Sequence, residues 1–178
     1  MSQPGTPQAS LIASLFIQAV REGQSLWFRV VSNSMFPVMR VGDEVRIQPA
    51  KAYEIRTGEI AAFEKANGLV IHRIISCQQT QESVRLLQMP DAELLPGWVK
   101  EQAVVGKVVC IRRKNRQVDL QHPIAKWCGM FTALIHYKLY LYNKNGIVKI
   151  LLRGCSRLVI RLGYWCLQCY CASSVTLD

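Results

Sequence analysis

The stretch IAAFEKANGLVIHRIIS occupies residues 60–76 and contains two apolar runs separated by turn residues. The runs cover residues 60–64 and 69–76, and the four residues between them are Lys-Ala-Asn-Gly. An Asn-Gly pair readily adopts the positive φ angles that a two-residue hairpin turn requires. Short apolar runs rich in β-branched residues on both sides of such a turn are typical of strands. This stretch therefore predicts a β-hairpin.

Further elements lie on both sides of the hairpin. Residues 26–31 alternate between two sets of side chains, as a half-buried strand does. Three more strand-like runs cover residues 44–48, 82–88 and 103–112. Before them, apolar side chains recur at helical spacing between residues 8 and 23, at Leu11, Ile12, Leu15, Phe16, Ala19 and Val20. Six short strands after one amphipathic N-terminal helix predict a mainly β fold, either a curled sheet or a partly closed barrel.

The C-terminal part of the chain is apolar and basic. Pro123 is well placed to open a helix that runs toward Tyr142, and residues 143–146 interrupt this pattern. A second helical pattern covers residues 147–170, and its basic residues fall four apart, at Lys149, Arg153, Arg157 and Arg161. An apolar helix with one basic line is typical of a helix that lies in a membrane interface. We predict a basic, apolar helical C-terminal segment.

The net charge of +10 lies entirely in this C-terminal part. Residues 1–106 carry ten basic and ten acidic side chains, whereas residues 107–178 carry twelve basic side chains against two acidic ones. An anionic partner is therefore expected to bind the C-terminal part. We divide the chain into an N-terminal helix (1–24), a β domain (25–113) and a basic helical tail (114–178). Since half of the residues are apolar and 19% are charged, wholesale disorder is excluded.

The seven cysteines do not form a disulfide or metal pattern. Their number is odd and their spacing irregular, so reduced thiols are expected. Cys166, Cys169 and Cys171 form a CxxCxC cluster without a nearby histidine, which disfavours zinc and leaves lipid attachment or free thiols. No metal or cofactor is expected. The N-terminus shows neither a cleavable signal nor a membrane-spanning stretch, which predicts a protein that is cytoplasmic or peripheral to the cytoplasmic membrane.

Three motifs carry the chemical information of the β domain. They are SNSMFP at residues 32–37 with Gly42-Asp43 shortly after, GEIAAF at 58–63 and VIHRII at 70–75. Their order and spacing resemble the signal peptidase I family, in particular its subgroup with a histidine base, over roughly residues 25–112. The sequence departs from the family pattern at Glu59, where aspartate is usual. The resemblance implies a signal-peptidase type of β fold and a catalytic β domain.

The resemblance also implies roles for individual residues. Ser34 matches the nucleophile, and His72, directly before Arg73, matches the general base. A serine hydroxyl needs such a base, and an imidazole titrates near neutral pH without further help. Asp91 matches the aspartate that orients the histidine, although Pro90 replaces the glycine usual before it. Ser32 and the backbone N–H of Ser34 match the oxyanion hole.

Other residues of the motifs have supporting roles. Met35 and Pro37 would shape the loop that presents Ser34, Gly42 would allow a tight turn, and Asp43 would cap or brace it. Arg73 is interpreted as a structural ion-pair partner. Each residue also has a plain structural interpretation: Ser34 as a turn residue, His72 as an ordinary strand histidine, Asp91 as a turn residue.

These observations lead to two hypotheses of different classes. The first is a serine endopeptidase of the signal peptidase type that cleaves a peptide or protein precursor after small residues, a preference taken from the resemblance alone. The substrate would lie along an edge strand. The alternative is a non-catalytic membrane-surface adaptor whose basic residues, within 112–170, bind anionic lipid or a partner protein. A self-cleaving repressor peptidase is disfavoured because no lysine occupies the base position. Nucleic acid is not an expected partner, since the cluster at 112–116 lacks interleaved aromatic residues.

Overall fold

The computed structural model describes residues 7–66, 68–81, 83–93 and 95–142. This part of the chain is mainly β and contains two α-helices, α1 (Pro7–Arg21) and α2 (Pro123–Tyr142), and two single-turn 3-10 helices, Ala52–Glu54 and Glu101–Ala103. Its eight strands are β1 (Leu26–Arg29), β2 (Glu44–Pro49), β3 (Ile60–Lys65), β4 (Gly68–Gln79), β5 (Val84–Met89), β6 (Gly97–Lys100), β7 (Val104–Arg113) and β8 (Arg116–Asp119).

The strands form one curled antiparallel sheet that resembles half of a barrel. Its order is β1-β2-β7-β3-β4-β5-β6, and β8 pairs with β7 outside this path. The pairings β2–β7, β3–β7 and β4–β5 each contain a register shift. Such irregularities bend a strand and increase its twist, which favours the observed curl.

The predicted hairpin is confirmed. Strands β3 and β4 pair antiparallel from Ile60 opposite Arg73 to Lys65 opposite Gly68. Gly68 has a φ of +111°, in the region that favours glycine over other residues. The other four expected strands are also present, with their ends shifted by at most two residues.

The sequence interpretation missed strands β6 and β8. Each has only four residues, too few to show a period of two, and each is held by pairing with a longer neighbour, β5 or β7. The sheet therefore continues to Asp119, beyond the expected domain boundary at 113. The helix expected from Pro123 toward Tyr142 is confirmed as α2. The second helical pattern (147–170), its basic stripe and the CxxCxC cluster lie outside the described residues.

Apolar side chains pack on both faces of the sheet. Ile17 and Val20 of α1 pack with Met35, Val45 and Val108 on one side. Alternation along β4 and β5 divides their apolar side chains between two clusters, with Ile74 and Leu86 in one and Ile75 and Leu87 in the other. Ala133 of α2 packs into the second of these clusters. Helix α2 thus covers the face of β4 and β5 that carries Ile75 and Leu87.

Two glycines allow α2 to approach the sheet closely. A Cβ atom on Gly129 would lie 2.7 Å from the carbonyl oxygen of Gly58, and one on Gly58 would lie 2.5 Å from the backbone nitrogen of Met130. Only glycine fits at such distances, and Gly58 also has a φ of +95°. Within the described ranges, neither helix is both long and apolar enough to span a bilayer.

Candidate active site

Ser34 lies in the loop between β1 and β2. The two ends of this loop are joined by backbone hydrogen bonds, from the N–H of Val30 to the carbonyl of Asp43 (2.8 Å) and from the N–H of Gly42 to the carbonyl of Val30 (2.9 Å). Gly42 has a φ of +91°, which the turn before Asp43 requires. The buried side chain of Met35 anchors the loop in the core. The adjacent Ser34 is half-buried.

A partly buried ion pair braces the same loop. The carboxylate of Asp43 accepts hydrogen bonds from the Arg113 guanidinium, at 2.8 Å from Nε and 2.5 Å from Nη2. It also accepts one from the backbone N–H of Arg40 (2.8 Å), and Arg113 donates another to the carbonyl of Val38 (3.2 Å). Asp43 thus fixes the Ser34 loop to β7 through an arginine from the basic cluster at 112–116. The sequence interpretation had not named this arginine as its partner.

The contacts of Ser34 combine one hydroxyl neighbour with one backbone anchor. Its Oγ shares a hydrogen bond with the Oγ of Ser32 at 3.2 Å. Its carbonyl oxygen accepts a hydrogen bond from the backbone N–H of Ala92 (2.9 Å), which ties it to the turn after β5. In the described part of the chain, the backbone N–H of Ser34 has no hydrogen-bond acceptor. This N–H could donate to a bound oxyanion, and so could the Ser32 hydroxyl when Ser34 is the donor of the hydrogen bond between the two hydroxyls.

His72 lies on β4, opposite Ala61 of β3. Its Nδ1 is 2.5 Å from Oε1 of Gln88. Because an amide oxygen can only accept, Nδ1 carries the proton and the lone pair lies on Nε2. Burial is the largest influence on this imidazole and lowers its pKa below the ordinary value, while the Gln88 hydrogen bond acts in the opposite direction. His72 is therefore neutral at neutral pH, the state that a general base needs.

Gln88 is a site residue that the sequence interpretation missed. It is buried on β5, opposite Ile74 of β4 and Gly97 of β6. A Cβ on Gly97 would lie 2.8 Å from the side-chain nitrogen of Gln88, so glycine leaves room for this amide beside His72. The available signal was a single polar residue within the otherwise apolar end of a strand, LLQM at 86–89.

Asp91 contacts Arg73 rather than His72. Its two carboxylate oxygens accept hydrogen bonds from Nε (2.8 Å) and Nη2 (2.7 Å) of Arg73, whose Nη1 donates to the carbonyl of Gly58 (2.8 Å). The expected Asp91–His72 hydrogen bond is thus replaced by the one from His72 to Gln88. The physical reason is the alternation of β4: neighbouring residues point to opposite faces, and Asp91 lies on the Arg73 side. The interpretation of Arg73 as an ion-pair partner agrees with this geometry.

A second histidine lies behind Asp91. The side chain of His136 on α2 is fully buried, and its Nδ1 is 3.8 Å from Oδ1 of Asp91. Neither ring nitrogen has a hydrogen-bond partner among the described residues. Burial lowers the pKa of this imidazole, with Asp91 acting against the shift and Arg73 adding to it. Sequence alone showed no reason to connect His136 with Asp91, forty-five residues earlier.

Ser34 and His72 both lie near the Asp91–Ala92 turn. Ala92 holds the Ser34 carbonyl, and the charges of Asp91 and Glu93 influence the His72 imidazole. No hydrogen bond joins Ser34 Oγ to His72 in the described part of the chain. Catalytic hydrogen bonds are often long in unliganded enzymes and shorten when substrate binds.

Part of β4 next to His72 has an unpaired edge. Strand β4 pairs with β3 from Gly68 to Arg73 and with β5 only from Arg73 onward. Residues 68–72 therefore present one row of backbone N–H and C=O groups that no other described strand pairs with. Such an edge can accept an extended peptide.

A cavity between α2 and the sheet has neither Ser34 nor His72 in its lining. It has a volume of about 540 Å³ and lies beside Arg73, Lys107, Val118 and Gly129. Two of its charged lining residues form ion pairs, Arg73 with Asp91 and Lys107 with Glu59 at 3.5 Å. Within the described ranges, no group of three or more His, Cys, Asp or Glu side chains could hold a metal ion.

The first two members of the basic cluster at 112–116 are engaged in ion pairs. Arg112 pairs with Glu44 (3.1 Å) and stacks on the ring of Trp27, with 3.8 Å between its guanidinium carbon and the ring centre. Arg113 holds Asp43 as described above. Much of this cluster therefore stabilises the sheet and the Ser34 loop.

Comparison with known proteins adds no family assignment. No protein-family model matches the chain, and no curated protein is significantly similar to it.

Proposed function

We propose that this protein is a serine endopeptidase of the signal peptidase type, with Ser34 as nucleophile and His72 as general base. The observation that carries the proposal is the state of His72. Gln88 holds the proton on Nδ1, burial keeps the ring neutral, and Nε2 forms no hydrogen bond to any other described residue. The three sequence motifs and the curled antiparallel sheet give independent support.

The proposed reaction follows from these groups. Nε2 of His72 accepts the hydroxyl proton of Ser34 while Oγ attacks the carbonyl carbon of the scissile peptide bond. The developing oxyanion accepts hydrogen bonds from the Ser34 backbone N–H and the Ser32 hydroxyl. His72 then returns its proton to the leaving amine, and water hydrolyses the acyl-enzyme through the same base. In this scheme Gln88 occupies the orienting position that an aspartate holds in a Ser-His-Asp triad.

The proposed substrate is an extended segment of a peptide or protein precursor. It would pair with the unpaired edge at residues 68–72, which ends at His72. Backbone pairing would supply affinity without reading side chains, so selectivity would depend on shallow contacts near Ser34. The preference for small residues before the scissile bond rests on the family resemblance.

The direct test is cleavage of a peptide library followed by mass spectrometry. The wild-type protein should cleave after small residues, and both Ser34→Ala and His72→Ala should abolish turnover. Ser83→Ala is the matched control, because Ser83 is an exposed serine in the turn before β5 and should leave the rate unchanged. Cleavage that persists in Ser34→Ala would refute the proposed nucleophile.

Two further variants test the supporting groups. Ser32→Ala should lower kcat by about 100-fold, the usual effect of removing one oxyanion donor. Gln88→Leu should lower kcat without abolishing it and should change the acidic limb of the pH profile, because the hydrogen bond of Gln88 raises the pKa of His72. For the wild type, activity should be lost as the pH falls through the lowered pKa of His72. An unchanged pH profile in Gln88→Leu would contradict the orienting role.

The alternative is a non-catalytic adaptor of the same fold, for which the lack of a direct Ser34–His72 hydrogen bond is the specific argument. An adaptor should cleave no peptide as well-folded wild-type protein, and Ser34→Ala should leave its binding unchanged. Absence of cleavage in every form would therefore favour the adaptor over the peptidase.

A further inference from the structure

The outward face of α2 consists of apolar side chains and lysines. Its exposed residues are Pro123, Lys126, Trp127, Met130, Phe131, Leu134, Lys138, Tyr140 and Leu141. The opposite face is buried against the sheet, and the helix contains no acidic residue. A helix that is apolar on both sides is normally covered on both sides. We call the exposed set the α2 outer face.

The α2 outer face differs in composition from the exposed side of α1. Trp127, Phe131 and Leu134 are 69%, 54% and 48% exposed and lie at spacings of four and three along one side of the helix. Helix α1 also exposes apolar residues, but Ser14, Gln18 and Arg21 are exposed among them. The α1 surface is therefore the mixed surface of an ordinary amphipathic helix.

We propose that the α2 outer face docks on an anionic lipid bilayer, with the helix axis parallel to the membrane. Trp127, Phe131 and Leu134 would enter the boundary between headgroups and acyl chains, where an interfacial helix buries its apolar side. Lys126 and Lys138 would extend their alkyl stems along this layer and place their ammonium groups at lipid phosphates. Tryptophan is also favoured at this depth.

The charges on the face favour a bilayer over a second copy of the chain. Lys126 and Lys138 lie near opposite ends of the face, and no acidic side chain is available on α2. Antiparallel pairing of two such helices would bring each Lys126 toward the Lys138 of the other copy, and parallel pairing would bring identical lysines together. Both arrangements place like charges opposite each other. An anionic bilayer offers apolar volume and negative charge at once.

The same comparison of charges disfavours the basic stretch 144–161 of this chain as the occupant. Residues 143–178 contain five basic side chains and one acidic one, Asp178. The five basic side chains all lie between Lys144 and Arg161, so packing this stretch on the α2 outer face would add positive charge beside Lys126 and Lys138. The net excess of ten basic residues in 107–178 instead strengthens attraction to an anionic surface.

The docking proposal does not depend on the proposed peptidase activity. The α2 outer face contains neither Ser34 nor His72, and the catalytically dead Ser34→Ala protein should bind membranes like the wild type. Failure of peptide cleavage and failure of membrane binding can therefore be distinguished.

The test uses the full chain and flotation with vesicles of phosphatidylcholine containing about 30% phosphatidylserine. The triple variant Trp127→Ser/Phe131→Ser/Leu134→Ser should lower the partition coefficient by about 100-fold or more, since three large apolar side chains would no longer be buried. The matched control, Leu11→Ser/Ile12→Ser/Leu15→Ser, removes three exposed apolar residues from α1 and should bind like the wild type.

A second variant tests whether the two lysines contribute to vesicle binding. It also keeps the proposal testable if the triple variant does not fold. Lys126→Glu/Lys138→Glu changes only exposed side chains and should weaken binding to the anionic vesicles by about tenfold or more. It should have little effect on vesicles of phosphatidylcholine alone. Each variant is compared with the wild type by circular dichroism and Tm.

Four results would overturn the proposal. In the first, the wild type does not bind anionic vesicles, and in the second, binding is unchanged in both the α2 triple variant and the lysine variant. In the third, the α1 and α2 triple variants lose binding equally. In the fourth, the wild type is a dimer that binds no lipid and that the α2 triple variant converts to monomers. The second result would assign binding to other basic residues, and the fourth would assign the face to a second copy.

Discussion

Replacing Asp91 with alanine would leave the guanidinium of Arg73 buried without its counter-charge. The Asp91 side chain is 0% exposed and the Arg73 side chain 5% exposed, so water cannot take over the lost contacts. Two of the three hydrogen bonds made by Arg73 end on Asp91, and the third ends on the Gly58 carbonyl. Removing one partner of such a buried pair costs about 3–5 kcal/mol of unfolding free energy.

Urea unfolding near pH 7, followed by tryptophan fluorescence, measures this cost. A domain of this size has a total stability of about 5–15 kcal/mol, so the loss should be large and still measurable. Glu44→Ala is the matched control. It removes the carboxylate of the Arg112–Glu44 pair, whose side chains are 41% and 45% exposed, and should cost less than about 1 kcal/mol.

A double variant distinguishes the destabilisation caused by an unpaired buried Arg73 charge from that caused by lost packing. Arg73→Met combined with Asp91→Ala removes both charges and should recover part of the stability lost in Asp91→Ala alone. If Asp91→Ala costs no more than Glu44→Ala, the pair is not acting as a buried ion pair and our account of the Asp91–Ala92 turn fails. The same conclusion would follow if the double variant lost more unfolding free energy than Arg73→Met and Asp91→Ala lose together as single variants.

Two further predictions concern α2. Acid should destabilise the protein through His136: burial lowers its folded pKa below the unfolded value of about 6.5, so the unfolded chain binds the proton first and stability falls as the pH drops below that value. In urea titrations His136→Leu should lose less stability over this range, and equal slopes for the two proteins would contradict the assignment. Gly129→Ala should cost about 1–3 kcal/mol, because its Cβ would lie 2.7 Å from the Gly58 carbonyl oxygen. Thermal unfolding with the exposed Met130→Ala as control checks this, and a Tm unchanged by Gly129→Ala would show that the helix does not approach so closely.

The fold class could be predicted because its signals are local. The Asn-Gly turn, the alternation in residues 26–31 and the proline at the start of α2 each act within a few residues of the chain. The hairpin, six of the strands and α2 followed from such signals. Strands β6 (GWVK) and β8 (RQVD) did not, since neither shows an alternation of apolar and polar residues and each is held by pairing with a longer neighbour.

The candidate site also contains residues that the sequence predicted and residues that it did not. Motif order in the sequence identified Ser34 and His72, and it named Asp43 and Arg73 as supporting residues. The contacts of these residues were not predicted. They are Gln88 with His72, Arg113 with Asp43, Asp91 with Arg73, and His136 with Asp91. The partner residues come from other strands, from the turn after β5 or from α2.

The sequence by itself thus determined which short segments become strands and helices, which residues are candidates for a catalytic role, and where the positive charge lies. Only the tertiary structure decided which side chains meet. Backbone periodicity depends on neighbouring residues, whereas a contact such as His72–Gln88 depends on strand register and on which face each residue occupies. Because neighbouring residues on β4 point to opposite faces, His72 and Arg73 contact different partners although they are adjacent in the chain.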